Sequence, residues 1–140
     1  TMGTSIRSNL SRKNRYWISR HRYYELKHFC LQYSEWLTEY RSIDGYQKSS
    51  RMNLTGIKST VISDATERLT EAKMYYFERM NLVKSLCKEA DPELSDYIFK
   101  AVTEEVSYST LRTKYDIPCS KDYYYESYRK FFWLLSNARK

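Results

Sequence analysis

The chain has 140 residues, 29% of them charged, a formal net charge of +7, and only three glycines and two prolines. A β-sandwich or barrel needs turn residues about every 8–12 positions, so this composition argues against those folds and predicts an all-α protein. The sequence contains no run of about 18 apolar residues, which argues against a membrane-spanning helix.

Two N-terminal segments are expected. Residues 1–18 are polar and basic and lack helical periodicity, which predicts a flexible arm. Residues 19–59 should form a helix and a linker. Apolar residues recur at steps of three and four from about Ser19 to Ile43, the pattern of an amphipathic helix. We expect Gly45 to cap the end of this helix and residues 44–59 to form a loop.

The third segment, residues 60–140, begins with a long helix from about Val61 to Glu89. Its apolar residues follow a near-heptad spacing: Ile62, Ala65, Leu69, Ala72, Tyr76, Met80, Val83 and Cys87. Such a stripe serves either a coiled-coil seam with a second copy of the chain or a helix pair within one chain. A helix of this length needs one of these two partners.

Local signals predict three further helices. Asp91 followed by proline marks a helix start, so a helix should cover about Pro92 to Glu104. A short helix should run from Tyr108 to Tyr115 with Ser107 as its N-cap. A last helix should begin at Ser120. The residues expected to face inward are Leu94, Ile98, Ala101 and Val102, then Tyr124 or Tyr125, Tyr128, Phe131, Phe132 and Leu135.

Several kinds of chemistry lack a signal in the sequence. Cys30, Cys87 and Cys119 are too widely spaced for a CxxC metal site, and we expect buried free thiols in a reducing cytosol. His21 and His28 lack neighbouring ligands for a metal. Neither a glycine-rich phosphate loop nor a Gly-x-Ser-x-Gly motif occurs. The sequence therefore predicts a protein that is not an enzyme and uses no metal or cofactor.

Basic charge is concentrated at both ends of the chain. Residues 1–60 contain 11 Lys/Arg against 4 Asp/Glu, and residues 107–140 contain 7 against 3. Residues 61–106 reverse the balance, with 6 against 10. Because proteins that bind polyanions place cations where the phosphates lie, this segregation favours a nucleic-acid partner. Ordinary charge for solubility is the alternative interpretation.

The short helix, the turn at Ile117 and the helix from Ser120 have the outline of a helix-turn-helix, in which the second helix enters the DNA major groove. The fold expected is a helical bundle with this C-terminal motif and one long central helix. The candidate DNA-binding residues at the motif are Ser107, Thr110, Arg112, Ser120, Lys121, Tyr123, Tyr124, Arg129 and Lys130. Those of the arm and first helix are Arg12, Lys13, Arg15, Arg20 and Arg22.

The same residues resemble a known group. Ser107-Tyr108, Leu111, Tyr115 and Ile117, followed by three tyrosines from Tyr123 and by Arg129, are similar to the sigma-region-4-like motif of the ArpU/RinA-type phage transcriptional regulators. The resemblance extends from Val61 to Ala138. Two positions depart from it: Arg112 replaces a small residue, and Asp116 replaces the glycine of the turn.

The resemblance implies a cytoplasmic, phage- or prophage-encoded activator of late or packaging genes in a bacterial host. It implies double-stranded DNA as a partner, and RNA polymerase is a further expected partner. The near-heptad stripe is the reason to count a second copy of the chain, through residues 61–89, among the expected partners. No membrane is expected, because the sequence lacks a long apolar run. Two alternatives stay open. One is a phage small terminase or another packaging protein that recognises DNA, and the other is a phage-encoded inhibitor that binds a host nucleic-acid enzyme.

Overall fold

The computed structural model describes residues 13–53 and 60–140, with side chains for 13–49 and 64–140. These residues form helices without any strand, which confirms the all-α prediction. Within this part of the chain, no helix combines the length and apolarity needed to cross a membrane. The helices are α1 (Arg20–Leu31), α2 (Tyr33–Asn53), α3 (Thr60–Ala90), α4 (Ser95–Glu104), α5 (Tyr108–Tyr115) and α6 (Lys121–Ala138).

The chain divides into two compact units. Unit 1 contains the described residues up to Gln32 together with Leu82–Lys140, and unit 2 is Tyr33–Asn81. Helix α3 continues from unit 2 into unit 1. This division differs from the predicted boundaries after residues 18 and 59, because α1 packs against α4 and α6 rather than forming a separate N-terminal segment with α2.

The core of unit 1 is aromatic. The Tyr23 ring lies 5.1 Å from that of Phe132, and the Tyr23 and Tyr128 hydroxyls form a 2.9 Å hydrogen bond. Fully burying one large apolar side chain stabilises a fold by about 1.5–3 kcal/mol. The predicted inward-facing residues of α4 and α6 are all buried, with Tyr124 rather than Tyr125 facing inward: Leu94, Ile98, Ala101, Val102, Tyr124, Tyr128, Phe131, Phe132 and Leu135.

The three cysteines are free thiols, as predicted. Cys30 and Cys87 are fully buried, whereas Cys119 is partly exposed. Burial raises the pKa of the Cys30 and Cys87 thiols well above the ordinary value, because desolvation disfavours the thiolate. Both therefore behave as small apolar core residues.

Serine caps begin three helices where the sequence predicts them. The side chain of Ser19 accepts the backbone N–H of Arg22, Ser107 accepts that of Thr110, and Ser120 accepts that of Tyr123. A serine at this position satisfies an N–H group that has no partner within the helix. Helices α1, α5 and α6 consequently start at the predicted residues.

The first predicted helix is wrong in its extent, because it is interrupted at Gln32 and does not end at Gly45. The Gln32 N–H bonds to the Phe29 carbonyl three residues back, a tightened helix end, and α2 then runs to Asn53. Asp44 bonds to Lys48 one turn later (3.1 Å) and to Lys73 of α3 (2.6 Å). These bonds help to offset the cost of a helical glycine, about 1 kcal/mol. Of the predicted loop, residues 54–59 lie outside the described part.

The long helix is confirmed, since α3 covers Thr60–Ala90. The next helix begins at Ser95 instead of Pro92, so that prediction is wrong by three residues. Asp91 nevertheless acts as a cap, because its Oδ1 accepts the N–H groups of Glu93 and Leu94 at 3.0 and 3.2 Å. These bonds stabilise a turn that precedes α4.

The predicted flexible arm is ordered at its end. The backbone N–H of Tyr16 donates to the Asn14 side chain, and the Tyr16 ring lies 5.6 Å from that of Trp133 on α6. Tyr16 is buried as a result. The sequence could not reveal this contact because the two rings are more than 100 residues apart. Residues 1–12 of the arm lie outside the described part.

Candidate nucleic-acid interface

Helix α5, a tight turn and helix α6 form one packed segment. Tyr108 and Leu111 of α5 are buried, and so is Ile117 in the turn. Asp116 adopts the left-handed conformation with φ 54° and ψ 48°. Aspartate tolerates this region better than most residues. It can therefore occupy a turn position whose positive φ usually favours glycine.

A tyrosine fixes the turn to α5. The Tyr108 hydroxyl donates a 2.7 Å hydrogen bond to the carbonyl of Cys119, directly before the cap of α6. The Tyr108 ring also lies 5.3 Å from that of Tyr124. The start of α6 is therefore held in place by both a polar and an aromatic contact.

The side chains at the start of α6 are exposed up to Tyr123, and the next one is buried. Ser120, Lys121 and Asp122 are exposed, and Tyr123 is 55% exposed. Tyr124, one residue later, is fully buried. The predicted DNA contact at Tyr124 is therefore wrong, because its ring packs in the core and its hydroxyl is buried without a hydrogen-bond partner.

Asp91 connects the corner between α3 and α4 to the first turns of α6. Its Oδ2 accepts the hydroxyl of Tyr123 at 2.8 Å and that of Ser127 at 3.4 Å, while Oδ1 caps the turn described above. The hydrogen bond to the Asp91 carboxylate raises the pKa of Tyr123 above its ordinary value. The sequence marked Asp91 as a cap but gave no signal for this longer-range role.

We expect Asp91→Ala to destabilise the protein by about 2–4 kcal/mol, because it removes a cap and the acceptor for two hydroxyls. Asp91→Asn, which keeps an acceptor oxygen for the cap, should lose less than half as much. Tyr123→Phe, which removes one hydrogen bond of a largely exposed side chain, should lose less than Asp91→Ala. Urea unfolding followed by circular dichroism measures all three. Equal stability of Asp91→Ala and the parent chain would contradict this role.

Two predicted contact residues are engaged within the protein. The Arg22 guanidinium donates to Ser136 and to the Arg139 carbonyl at the end of α6, and it pairs with Glu25 at 2.8 Å. A cation there stabilises the negative end of the helix dipole. The Arg129 side chain is 19% exposed and pairs with Glu126 at 3.1 Å. Both predictions are corrected, since neither guanidinium is free to bind phosphate.

The remaining predicted residues differ in accessibility. Ser107 and Thr110 are partly exposed and bond to each other, and Lys130 is also partly exposed. Arg12 lies outside the described residues. Among the predicted contact residues, the basic ones that are exposed are Lys13, Arg15, Arg20, Arg112 and Lys121. Sequence reasoning missed Lys114, which is also exposed. Its positive charge within the predicted helix-turn-helix was a usable signal.

The charges near the first turn of α6 are mixed. Residues 108–124 contain three cations, Arg112, Lys114 and Lys121, and two carboxylates. Beside this turn lies a shallow cavity of about 370 Å³ whose lining includes Asp91 and Glu93. An anion would be repelled from that cavity. Lys121 is therefore the cation best placed to attract a phosphate or base acceptor to the start of α6.

Comparison of the chain with known proteins finds no matching family model, no matching curated protein and no matching solved structure.

Proposed function

We propose that the chain binds double-stranded DNA through a helix-turn-helix formed by α5 and α6. The observation that carries the proposal is the exposure of Ser120, Lys121 and Tyr123 at the start of a helix that is otherwise anchored in the core. A recognition helix presents its N-terminal residues to the base edges in the major groove. The rigid attachment of α6 supports this role, because it keeps those residues in one orientation.

The side chains have distinct proposed roles. Lys121 donates to a guanine or a phosphate. Ser120 caps the helix through the Tyr123 N–H and so keeps Lys121 in place. The Tyr123 hydroxyl is already bonded to Asp91, so its exposed ring makes apolar contact with the groove. Arg112 and Lys114 of α5 bind backbone phosphates. Lys13, Arg15 and Arg20 supply a further basic surface.

The biological setting is also a proposal. It rests on the resemblance of residues 107–129 to the ArpU/RinA-type regulators. The chain would act in the cytoplasm of a bacterial host as a non-enzymatic, phage-encoded regulator of late or packaging genes. RNA polymerase would be a second partner of the DNA-bound protein.

A salt titration tests DNA binding directly. With a mixed-sequence duplex and the matching single strand, we expect a preference for the duplex. The logarithm of affinity should fall with the logarithm of salt by about 0.9 per phosphate contacted. Lys84→Ala, an exposed change on α3 away from the α5–α6 segment, should bind like the parent chain. If the affinity does not depend on salt, or if the duplex and the single strand bind equally well, the proposal is wrong.

A packaging protein is the second candidate, because it also combines DNA recognition with an assembling helix. The uncovered apolar residues on the first half of α3 favour it. Light scattering separates the two functions. A ring of about eight or more chains supports packaging, and a monomer or dimer supports regulation.

A further inference from the structure

Helices α2 and α3 form an antiparallel pair within unit 2, and "the hairpin" here means residues 33–53 and 60–81. Asp44 contacts Lys73, Gln47 contacts Thr70, and Tyr40 stacks near Phe77, so the pairing runs in opposite directions along the two helices. Two helices alone share one seam. Their other faces need a further partner to become buried.

The hairpin lacks a core of its own along most of its length. Trp36 and Met80 are buried, but no described side chain in residues 37–49 or 64–79 is buried. Large apolar side chains are among the uncovered ones: Tyr46 is 62% exposed, Met74 49%, Tyr75 48% and Phe77 45%. Of these four, Tyr46 lies in one groove with Ala65 and Leu69. Neighbouring uncovered apolar side chains are typical of an interaction surface.

The near-heptad stripe of α3 changes character along the helix. Its last positions, Met80, Val83 and Cys87, are buried. Its earlier described positions are exposed or half-buried: Ala65, Leu69, Ala72 and Tyr76. The first two of these, with Ile43 and Tyr46 of α2, line a groove of about 490 Å³. The stripe therefore continues along the side of the hairpin, where the described residues of the chain leave it uncovered.

The charge of the hairpin identifies the class of partner. Residues 33–53 and 60–81 contain six Lys/Arg and seven Asp/Glu, so the hairpin is close to neutral and the excess of cations belongs to the rest of the chain. A nucleic acid would require an excess of cations. A neutral surface with both signs of charge can instead face another copy of itself, because a two-fold interface is self-complementary.

The size of the hairpin face suits such a contact. Helix α2 has 21 residues, which corresponds to a length of about 30 Å. Two helices side by side, each about 10 Å wide, present a face of about 600 Å². A stable interface buries about 800 Å² of accessible surface on each partner, which is the same order of magnitude.

We propose that this chain forms a homodimer in which the hairpin of a second copy packs into the groove at Ile43, Tyr46, Ala65 and Leu69. The two hairpins then form a four-helix bundle, in which the first half of the α3 stripe is buried. The dimer does not depend on DNA. A dimer would carry two copies of the proposed DNA-binding segment.

Sedimentation velocity of the full chain without DNA tests the dimer. We expect a dimer for the parent chain and a dissociation constant at least about 100-fold higher for Ala65→Glu, because a buried unpaired carboxylate opposes association. Ala65 is exposed and glutamate is a good helix former, so the monomer should keep its helicity. Tyr46→Glu probes the same groove from α2.

The matched control is Ser85→Glu, an exposed position on α3 outside the hairpin, which should remain dimeric. A monomeric parent chain at tens of micromolar would overturn the proposal. So would equal dissociation constants for Ala65→Glu, Tyr46→Glu and Ser85→Glu. A ring of many chains would overturn the dimer as well. Since DNA is absent, these outcomes are independent of whether the chain binds a duplex.

Discussion

Lys121→Ala is expected to bind double-stranded DNA about 5- to 150-fold more weakly than the parent chain. This range corresponds to the loss of one base contact of about 1–3 kcal/mol. Lys121 is exposed in the first turn of α6, so its removal leaves the core and the Ser120 cap intact. Fluorescence anisotropy with a labelled duplex, at one fixed salt concentration, measures the change.

Lys84→Ala is the matched control, because it removes the same charge from an exposed position on α3. Its affinity should change by less than about twofold. Equal losses for the two variants would mean that only overall charge attracts the DNA. If Lys121→Ala binds DNA as tightly as the parent chain, α6 does not enter the DNA groove, and the proposed function is wrong.

Phe132→Ala is expected to destabilise the protein by about 3–5 kcal/mol, the usual cost of deleting a buried aromatic side chain. Phe132 is fully buried, and its ring centroid lies 5.0 Å from those of Tyr128 and Phe131. Because domains are stable by about 5–15 kcal/mol in total, much of the stability would be lost. Urea unfolding monitored by circular dichroism measures it.

Phe77→Ala provides the comparison, because this ring is 45% exposed. Among the described aromatic rings, it contacts that of Tyr40. Its cost should be about 1 kcal/mol or less. A loss at Phe77 as large as that at Phe132 would contradict the assignment of the core to unit 1. The measurement is made at low protein concentration, so that self-association does not contribute.

The helix starts were predictable because their causes are local. Ser19, Ser107 and Ser120 each bond to an N–H group three residues later, and the chain order alone brings those atoms together. The inward face of α6 was equally readable, because apolar residues recur with the helical period. An all-helical chain with its core on α4 and α6 follows from such short-range patterns.

The candidate site was predictable only in part. Tyr123, Tyr124 and Tyr125 have identical chemistry, so the sequence named both Tyr123 and Tyr124 as DNA contacts. The helix rotates by about 100° per residue, and packing against Tyr108 decides that Tyr124 is buried while Tyr123 stays outside. Basic charge was similarly ambiguous. Arg22 binds the end of α6 across 114 residues of chain, a partner that no local pattern indicates.

By itself, then, the sequence determined where the capped helices begin, which face of each amphipathic helix is apolar, and that its excess positive charge lies near the two ends. The tertiary structure decided which basic side chains are exposed, such as Lys121, and which form ion pairs within the protein, such as Arg22 and Arg129. Helix α2 continues past Gly45, where Asp44 pairs with Lys73 of α3. Only the last part of the α3 stripe is buried. The physical reason is the same in each case: caps and periodicity act within one or two turns, whereas burial and ion pairing depend on residues that are distant in the chain.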